Sequence, residues 1–205
     1  MSTLPEHPYS PSLFDADYYG NKARGGFGPE IQWEDPRQQE QLDIKFSVCE
    51  SADPYDSILF VGCAMGAEPL YFSQHGKTAR GVDVSQWAID HALSEAKALV
   101  QLYDGQHMPF FSDKQFEVVA SFDVLNLVPL PMREVLAKEM QRVSSKAIII
   151  RGIAKETGLD WDGNDGVSFK YKPLTHWIAL FDESFKIDLS LCNENQEYTL
   201  TFLRK

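Results

Sequence analysis

The residues of this chain best suited to chemistry are a bend of small side chains and two carboxylates downstream of it. Gly62, Ala64 and Gly66 alternate through Val61-Gly-Cys-Ala-Met-Gly66, directly after the apolar run Ser57–Val61. Small residues in such a turn let a bulky ligand approach bare backbone. Asp83 ends the next apolar run, about twenty residues on, where a carboxylate accepts hydrogen bonds from both hydroxyls of a ribose. Asp104 closes a third run. A nucleoside-bearing ligand fits these types and spacings. Two structural alternatives stay open. The glycines also suit close strand–helix packing, and Asp83 also suits a cap for a helix starting at Gln86.

The elements that must position these residues follow from the apolar pattern. Strands are predicted at Ser57–Val61, Thr78–Asp83, Leu99–Asp104, Phe116–Phe122 and Lys146–Arg151. Helices are predicted at Ala67–Gln74, Gln86–Ala98 and Met132–Val143, and Gln38–Glu50 reads as a helix covering a sheet edge. Repeated strand-then-helix order implies a parallel sheet with helices on both faces. Beyond it, 156–172 reads as Gly- and Asp-rich loop and Leu174–Asp182 as a helix. Phe185–Leu191 and Glu197–Leu203 alternate around Asn193-Glu-Asn195, which predicts a closing antiparallel hairpin and seven strands in total. Residues 1–36 form an irregular arm rich in Pro, Gly and aromatics, with a short helical piece near Asp15–Tyr19. Residues 37–205 form the core, and 1–205 reads as one domain.

Composition narrows the partners. Thirty acidic against 19 basic residues give a net charge of −11, which repels phosphate backbones and argues against nucleic acid. Cys49, Cys63 and Cys192 form no Cys-x-x-Cys pair, so neither a disulfide framework nor a structural zinc site is expected, and a reducing cytoplasm is the natural compartment. Asp160, Asp162, Asn164 and Asp165 cluster in a solvated loop, and no metal site is expected. No apolar run is long enough to span a bilayer, and the N-terminal residues lack a secretory pattern.

A dinucleotide fits the bend poorly. The Gly-x-Gly-x-x-Gly fingerprint wants a third glycine where Ala67 stands, and Glu68 sets negative charge beside a pyrophosphate. Four pieces in order carry a different resemblance. They are Val61-Gly-Cys-Ala-Met-Gly66, Gly81-Val-Asp-Val-Ser85, Tyr103-Asp-Gly-Gln-His-Met-Pro-Phe110 and Phe116-Glu-Val-Val-Ala-Ser-Phe-Asp-Val-Leu125. Together they resemble the class I S-adenosylmethionine (SAM)-dependent methyltransferase family, in its small-molecule, type 11-like branch. The resemblance covers Ser57 to about Arg151, and the hairpin in outline. It implies an α/β, Rossmann-like fold: a seven-stranded, mostly parallel sheet, helices on both faces, and a C-terminal antiparallel hairpin. It also implies SAM as cofactor, S-adenosylhomocysteine (SAH) as product, and a small-molecule acceptor.

The resemblance assigns the site residue by residue. Gly62, Cys63, Ala64 and Gly66 would pass under the methionine moiety, and Asp83 would grip the ribose. Val84 would lie on the adenine face. Asp104 would accept from the adenine amino group, with Gly105 and Gln106 beside it, although Asp-Gly also suits a plain turn. Phe122 and Asp123 would border the sulfonium, although Phe122 also suits the core. Two departures stand out: an aromatic at Phe60, where the family commonly carries an acid, and Ala64 in place of a middle glycine. They leave open a SAM-binding relative without turnover. An NAD(P)-dependent oxidoreductase is the weaker rival, because the lone Tyr-x-x-x-Lys, Tyr18 to Lys22, precedes the nucleotide fold.

Methyl transfer needs alignment and dryness more than acid–base groups, and a base only for a hydroxyl or ammonium acceptor. The arm's Phe14, Tyr18, Tyr19, Phe27 and Trp33 sit among glycines, which suits either a cover that closes on a sulfonium or an apron over the sheet edge. Arg24 is placed to meet the methionine carboxylate, and Tyr18 or Tyr19 to orient the amine or acceptor. His176 is the first candidate base, His107 the second, and a structural role remains open for both.

Overall fold

In the computed structural model, residues 14–20, 36–51, 54–153, 161–162, 168–169, 174–190 and 198–205 are described. Four apolar runs form the parallel centre of the sheet: β1 (Ser57–Val61), β2 (Thr78–Asp83), β4 (Phe116–Phe122) and β5 (Ser144–Ile153), with the short β3 (Val100–Leu102) at one edge. β9 (Tyr198–Arg204) runs antiparallel to β5, and β8 (Phe185–Asp188) antiparallel to β9. The order is β3-β2-β1-β4-β5-β9-β8, the predicted seven-stranded, mostly parallel sheet with its closing hairpin.

Both faces are buried. Leu59, Val61, Val119, Ile148 and Ile150 pack on one side with α5 (Leu130–Val143) and with Trp177 of α6 (Leu174–Ile178). Ile58, Phe60, Val118, Ala120 and Ile149 pack on the other with α2 (Pro36–Glu50) and α3 (Ala67–Gln74). Strands buried on both faces read as apolar runs, so the ends of β1, β2 and β4 were predictable, whereas β5 runs two residues further at each end than Lys146–Arg151.

Four expectations are corrected. The helix at Gln86 stops at Asp90 (α4) instead of Ala98, because the Leu93 N–H leaves helical pairing to bond Met65 O at 3.1 Å. β3 is shorter than predicted because Asp104 folds into a local turn that takes the Gln106 and His107 amides. α6 gives way after Ile178 to three-residue turns at Leu180 and Phe181. Trp161–Asp162 (β6) pairs antiparallel with Ser168–Phe169 (β7), where loop was expected. Near the N-terminus, α1 (Ala16–Gly20) is capped by Asp15, whose carboxylate accepts from the Tyr18 N–H at 3.0 Å. Among the described residues, no helix is long and apolar enough to cross a membrane.

Candidate functional site

β1 leads to β2 on one side, whereas β3 leads to β4 on the other side of β1. The crevice beyond the carboxyl ends of β1 and β4 is therefore the place where an open α/β sheet accepts a ligand. Residues 62–66 and 123–129 border it.

The bend is built from left-handed backbone. Gly62, Ala64 and Gly66 have φ of +80°, +46° and +89°. A Cβ on Gly62 would lie 2.2 Å from Val124 Cγ2, and one on Gly66 would lie 2.7 Å from Ala96 Cβ. Conformation and space both demand glycine there. Ala64 holds the same hand with a side chain, at a cost of about 1–2 kcal/mol. Asp123, ending β4, is also left-handed at φ +60°, and its N–H donates to Arg151 O at 2.9 Å.

Asp83 joins the bend to the end of β2. Its Oδ2 accepts the Ala64 N–H at 2.7 Å and its Oδ1 the Ser85 N–H at 2.8 Å. Burial pushes this carboxyl above its ordinary range, opposed by the amides of Ser85, Ala64 and Val84. The helix cap falls to Ser85, whose Oγ accepts the Ala88 N–H at 2.9 Å. With three amides on about four lone-pair sites, the carboxylate keeps room for a further donor.

The described part of the arm closes this end of the molecule. Phe14, Tyr18 and Tyr19 are buried and pack with Ala88 against Ala64, Met65, Val84, Trp87 and Leu127. Tyr19 stacks on Trp87, with 5.2 Å between centroids, and Trp87 stacks on His91 at 4.1 Å. The Tyr19 hydroxyl lies near the Ser85 side chain. Burial, then the nearby Asp83 charge, drives its ionisation far above the ordinary phenol range, so it stays protonated. The Phe14 carbonyl accepts the Ser85 hydroxyl, which pins the arm to the β2 end. Arg24, Phe27 and Trp33 lie outside the described residues.

Asp104 is exposed. Burial is the largest single effect and raises its carboxyl, but the amides of His107 and Gln106 and the His107 side chain together outweigh it and leave the carboxyl below its usual value. Its Oδ2 lies 3.1 Å from His107 Nδ1. The Gln106 amide is thus spent on Asp104, and Gly105 supplies the left-handed turn at φ +84°. Phe122 is buried against Phe60, with 6.2 Å between centroids, and Phe60 packs on Phe72 at 4.7 Å.

Two charged groups beside these connections carry no signal in sequence spacing. Lys45 Nζ of α2 lies 2.5 Å from Glu68 Oε1 in the first turn of α3, and 5.4 Å from the Phe122 ring. Arg133 of α5 is 2 % exposed and donates from Nη2 to Val128 O at 2.8 Å. Its guanidinium stacks over Trp177, and burial lowers its pKa to about 10. Arg133 Nη1 lies 3.2 Å from His176 Nε2. A guanidinium only donates, so Nε2 is the acceptor and neutral His176 carries its proton on Nδ1. Among the described residues, no group of three or more His, Cys, Asp or Glu side chains is placed to hold a metal ion.

A switch-point crevice, a glycine bend and a strand-end aspartate on this sheet order define a class I methyltransferase fold. The family model for a methyltransferase domain matches residues 59–147, the stretch holding the bend, Asp83, Asp104 and Asp123. By that match, residues 59–147 are similar to the methyltransferase-domain family, and the fold is that of the class I methyltransferases. Solved structures share the fold. A Pyrococcus horikoshii OT3 protein superposes with a TM-score of 0.70 at 16% identity, over 90% of this chain and 99% of that one. The magnesium protoporphyrin IX methyltransferase of Synechocystis PCC 6803, solved with bound SAM, gives 0.65 at 15% identity over all of both chains. A SAM-dependent methyltransferase from Methanosarcina mazei gives 0.61 at 17% identity, over 76% of this chain and 94% of that one. No curated protein sequence matches.

Proposed function

We propose that the crevice binds SAM and that the protein passes its methyl group to a small-molecule acceptor with an oxygen or nitrogen nucleophile. The observation that carries this reading is the Asp83 bridge. One carboxylate ties the bend to the end of β2 and keeps acceptor capacity for a ribose hydroxyl. The bend itself is a cradle that a Cβ would fill. Gly62, Cys63, Ala64 and Gly66 then meet the methionine portion, Val84 the adenine face, and Asp104, Gly105 and Gln106 the adenine edge. Phe122 and Asp123 flank the sulfonium, with Tyr18 closing from the arm and Arg24 reaching the carboxylate. The Synechocystis relative acts on magnesium protoporphyrin IX, which supports a small-molecule acceptor class here.

When bound, the sulfonium supplies a methyl that the acceptor's lone pair displaces in line as the C–S bond breaks, leaving the neutral thioether of SAH. The chain's part is positioning and dryness, which together supply roughly 7–11 kcal/mol of the barrier. Phe14, Tyr18 and Tyr19 cover the bend and exclude water from it. Tyr19, held protonated, serves as a hydrogen-bond donor. The Arg133 contact occupies the Nε2 lone pair of His176, which supports His176 as an Nδ1–H donor that orients the acceptor over its use as a base.

Mass-spectrometric detection of SAH across an acceptor panel tests the reading. Acceptor-dependent SAH formation is expected. Tight SAH binding with no turnover would favour a cofactor-binding protein, a second reading motivated by Phe60 and by left-handed Ala64. No SAH binding would end both.

A further inference from the structure

β1 presents an aromatic, Phe60, where the resembled family commonly carries an acid, and the ring is only 2 % exposed. It is wedged between Phe72 and Phe122, so no charge faces the crevice from this strand. Charge returns at the rim of the same aromatic cluster. Glu68 stands two residues past Gly66, and Lys45 reaches it from α2 while hanging over Phe122. The two side chains are 13% and 12% exposed, respectively.

We infer that Lys45 and Glu68 clamp the amino-acid end of the cofactor, Glu68 receiving its ammonium and Lys45 its carboxylate. The inference rests on the reading of the crevice as a SAM site. Three observations support it.

The first is position. Lys45 is anchored at the ring that ends β4, and Glu68 at the first turn after the bend, so both border the crevice. The negative field of Glu68 reaches Cys63 and Asp83, adding to the larger effect of burial in disfavouring the ionised form of both.

The second is charge balance. A methionine-type zwitterion meeting an ion pair buries no net charge, and each ligand charge faces its opposite. A lone acid at position 60 answers only the ammonium.

The third is energetic. Desolvation of a nearly buried pair offsets most of its attraction, so the pair contributes little to the fold. Each ion can therefore share its partner with a ligand at small cost, whereas removing one ion alone strands the other.

Calorimetric titration with two probes tests the clamp. SAH carries the amino acid, and 5′-methylthioadenosine carries the same adenosyl thioether without it. Lys45→Met keeps the aliphatic stem and Glu68→Gln keeps the shape. Each is expected to weaken SAH at least tenfold and to leave 5′-methylthioadenosine within twofold. The double variant strands neither charge, so it guards against misfolding of the singles, and its preference for SAH over 5′-methylthioadenosine should fall at least tenfold. Unchanged SAH affinity, or equal loss of both probes, overturns the clamp while leaving the SAM reading intact. A wild-type protein that binds neither probe overturns the SAM reading, and the clamp with it.

Discussion

Gly62→Ala tests the packing of the bend against the end of β4. The new Cβ would sit 2.2 Å from Val124 Cγ2, 3.0 Å from Cγ1 and 3.1 Å from Cβ, on backbone at φ +80°. Left-handed backbone costs a residue with a Cβ about 1–2 kcal/mol. Overpacking adds about 1–3 kcal/mol, so the variant should lose about 2–5 kcal/mol. At about 2–4 °C per kcal/mol for a chain of this size, Tm falls by about 4–20 °C. Val124→Ala removes both methyls and leaves only the 3.1 Å contact, so it relieves the steric share and not the conformational one. A double-mutant cycle read by urea unfolding should give a favourable coupling of about 1–3 kcal/mol. A loss below about 0.5 kcal/mol in Gly62→Ala, or zero coupling with Val124→Ala, would refute the reasoning.

Three further predictions follow from other parts of the structure. His176→Ala should lower kcat about tenfold, or ~1.4 kcal/mol, with SAH affinity within twofold and the shape of the pH profile kept. A lost basic limb would instead make His176 the base, and lost SAH binding would make it structural. Glu139 accepts from Arg142 Nη2 and from the Met108 N–H, both at 2.7 Å, and the Arg142 contact holds its carboxyl below the usual range. A depressed folded pKa stabilises above the unfolded value of about 4.3 and is lost as pH falls through the folded one. Glu139→Gln should therefore cost about 1–3 kcal/mol at pH 7, with a smaller gap at about pH 3.5; a pH-independent gap in urea melts would contradict this. Cys49 and Cys63 are buried, and burial pushes both thiols up. Neither should be alkylated in the folded protein, as peptide mapping would show; rapid labelling of Cys63 would mean an open bend.

The parts of the fold that were legible are those set by local apolar pattern. β1, β2, β4 and α3 begin and end at the predicted residues, because strands buried on both faces and a helix bounded by glycines announce their limits. α4 was overextended because its stop depends on a tertiary bond from Leu93 to Met65 O. In the candidate site, the place of Asp83 at the end of β2 and the glycine bend after β1 followed the sequence pattern. The Ala64–Asp83 bond was not, since it depends on how the bend folds back. The Lys45–Glu68 and Arg133–His176 contacts join positions 23 and 43 residues apart on different elements, and no periodicity encodes such pairs. Arg24 lies outside the described residues, so its assignment still rests on sequence.

The central claim is that the Asp83-bridged bend holds an adenosyl group, and titration of wild type and Asp83→Asn with SAH at pH 8 and pH 5 tests it most directly. Wild type should bind SAH at pH 8 and more weakly at pH 5, because burial raises the Asp83 carboxyl and its proton then displaces a ribose hydrogen bond. Asp83→Asn should lose about 1.5–3 kcal/mol of affinity at pH 8, roughly 10- to 150-fold. No SAH binding by wild type, or equal binding by the variant, would contradict the account.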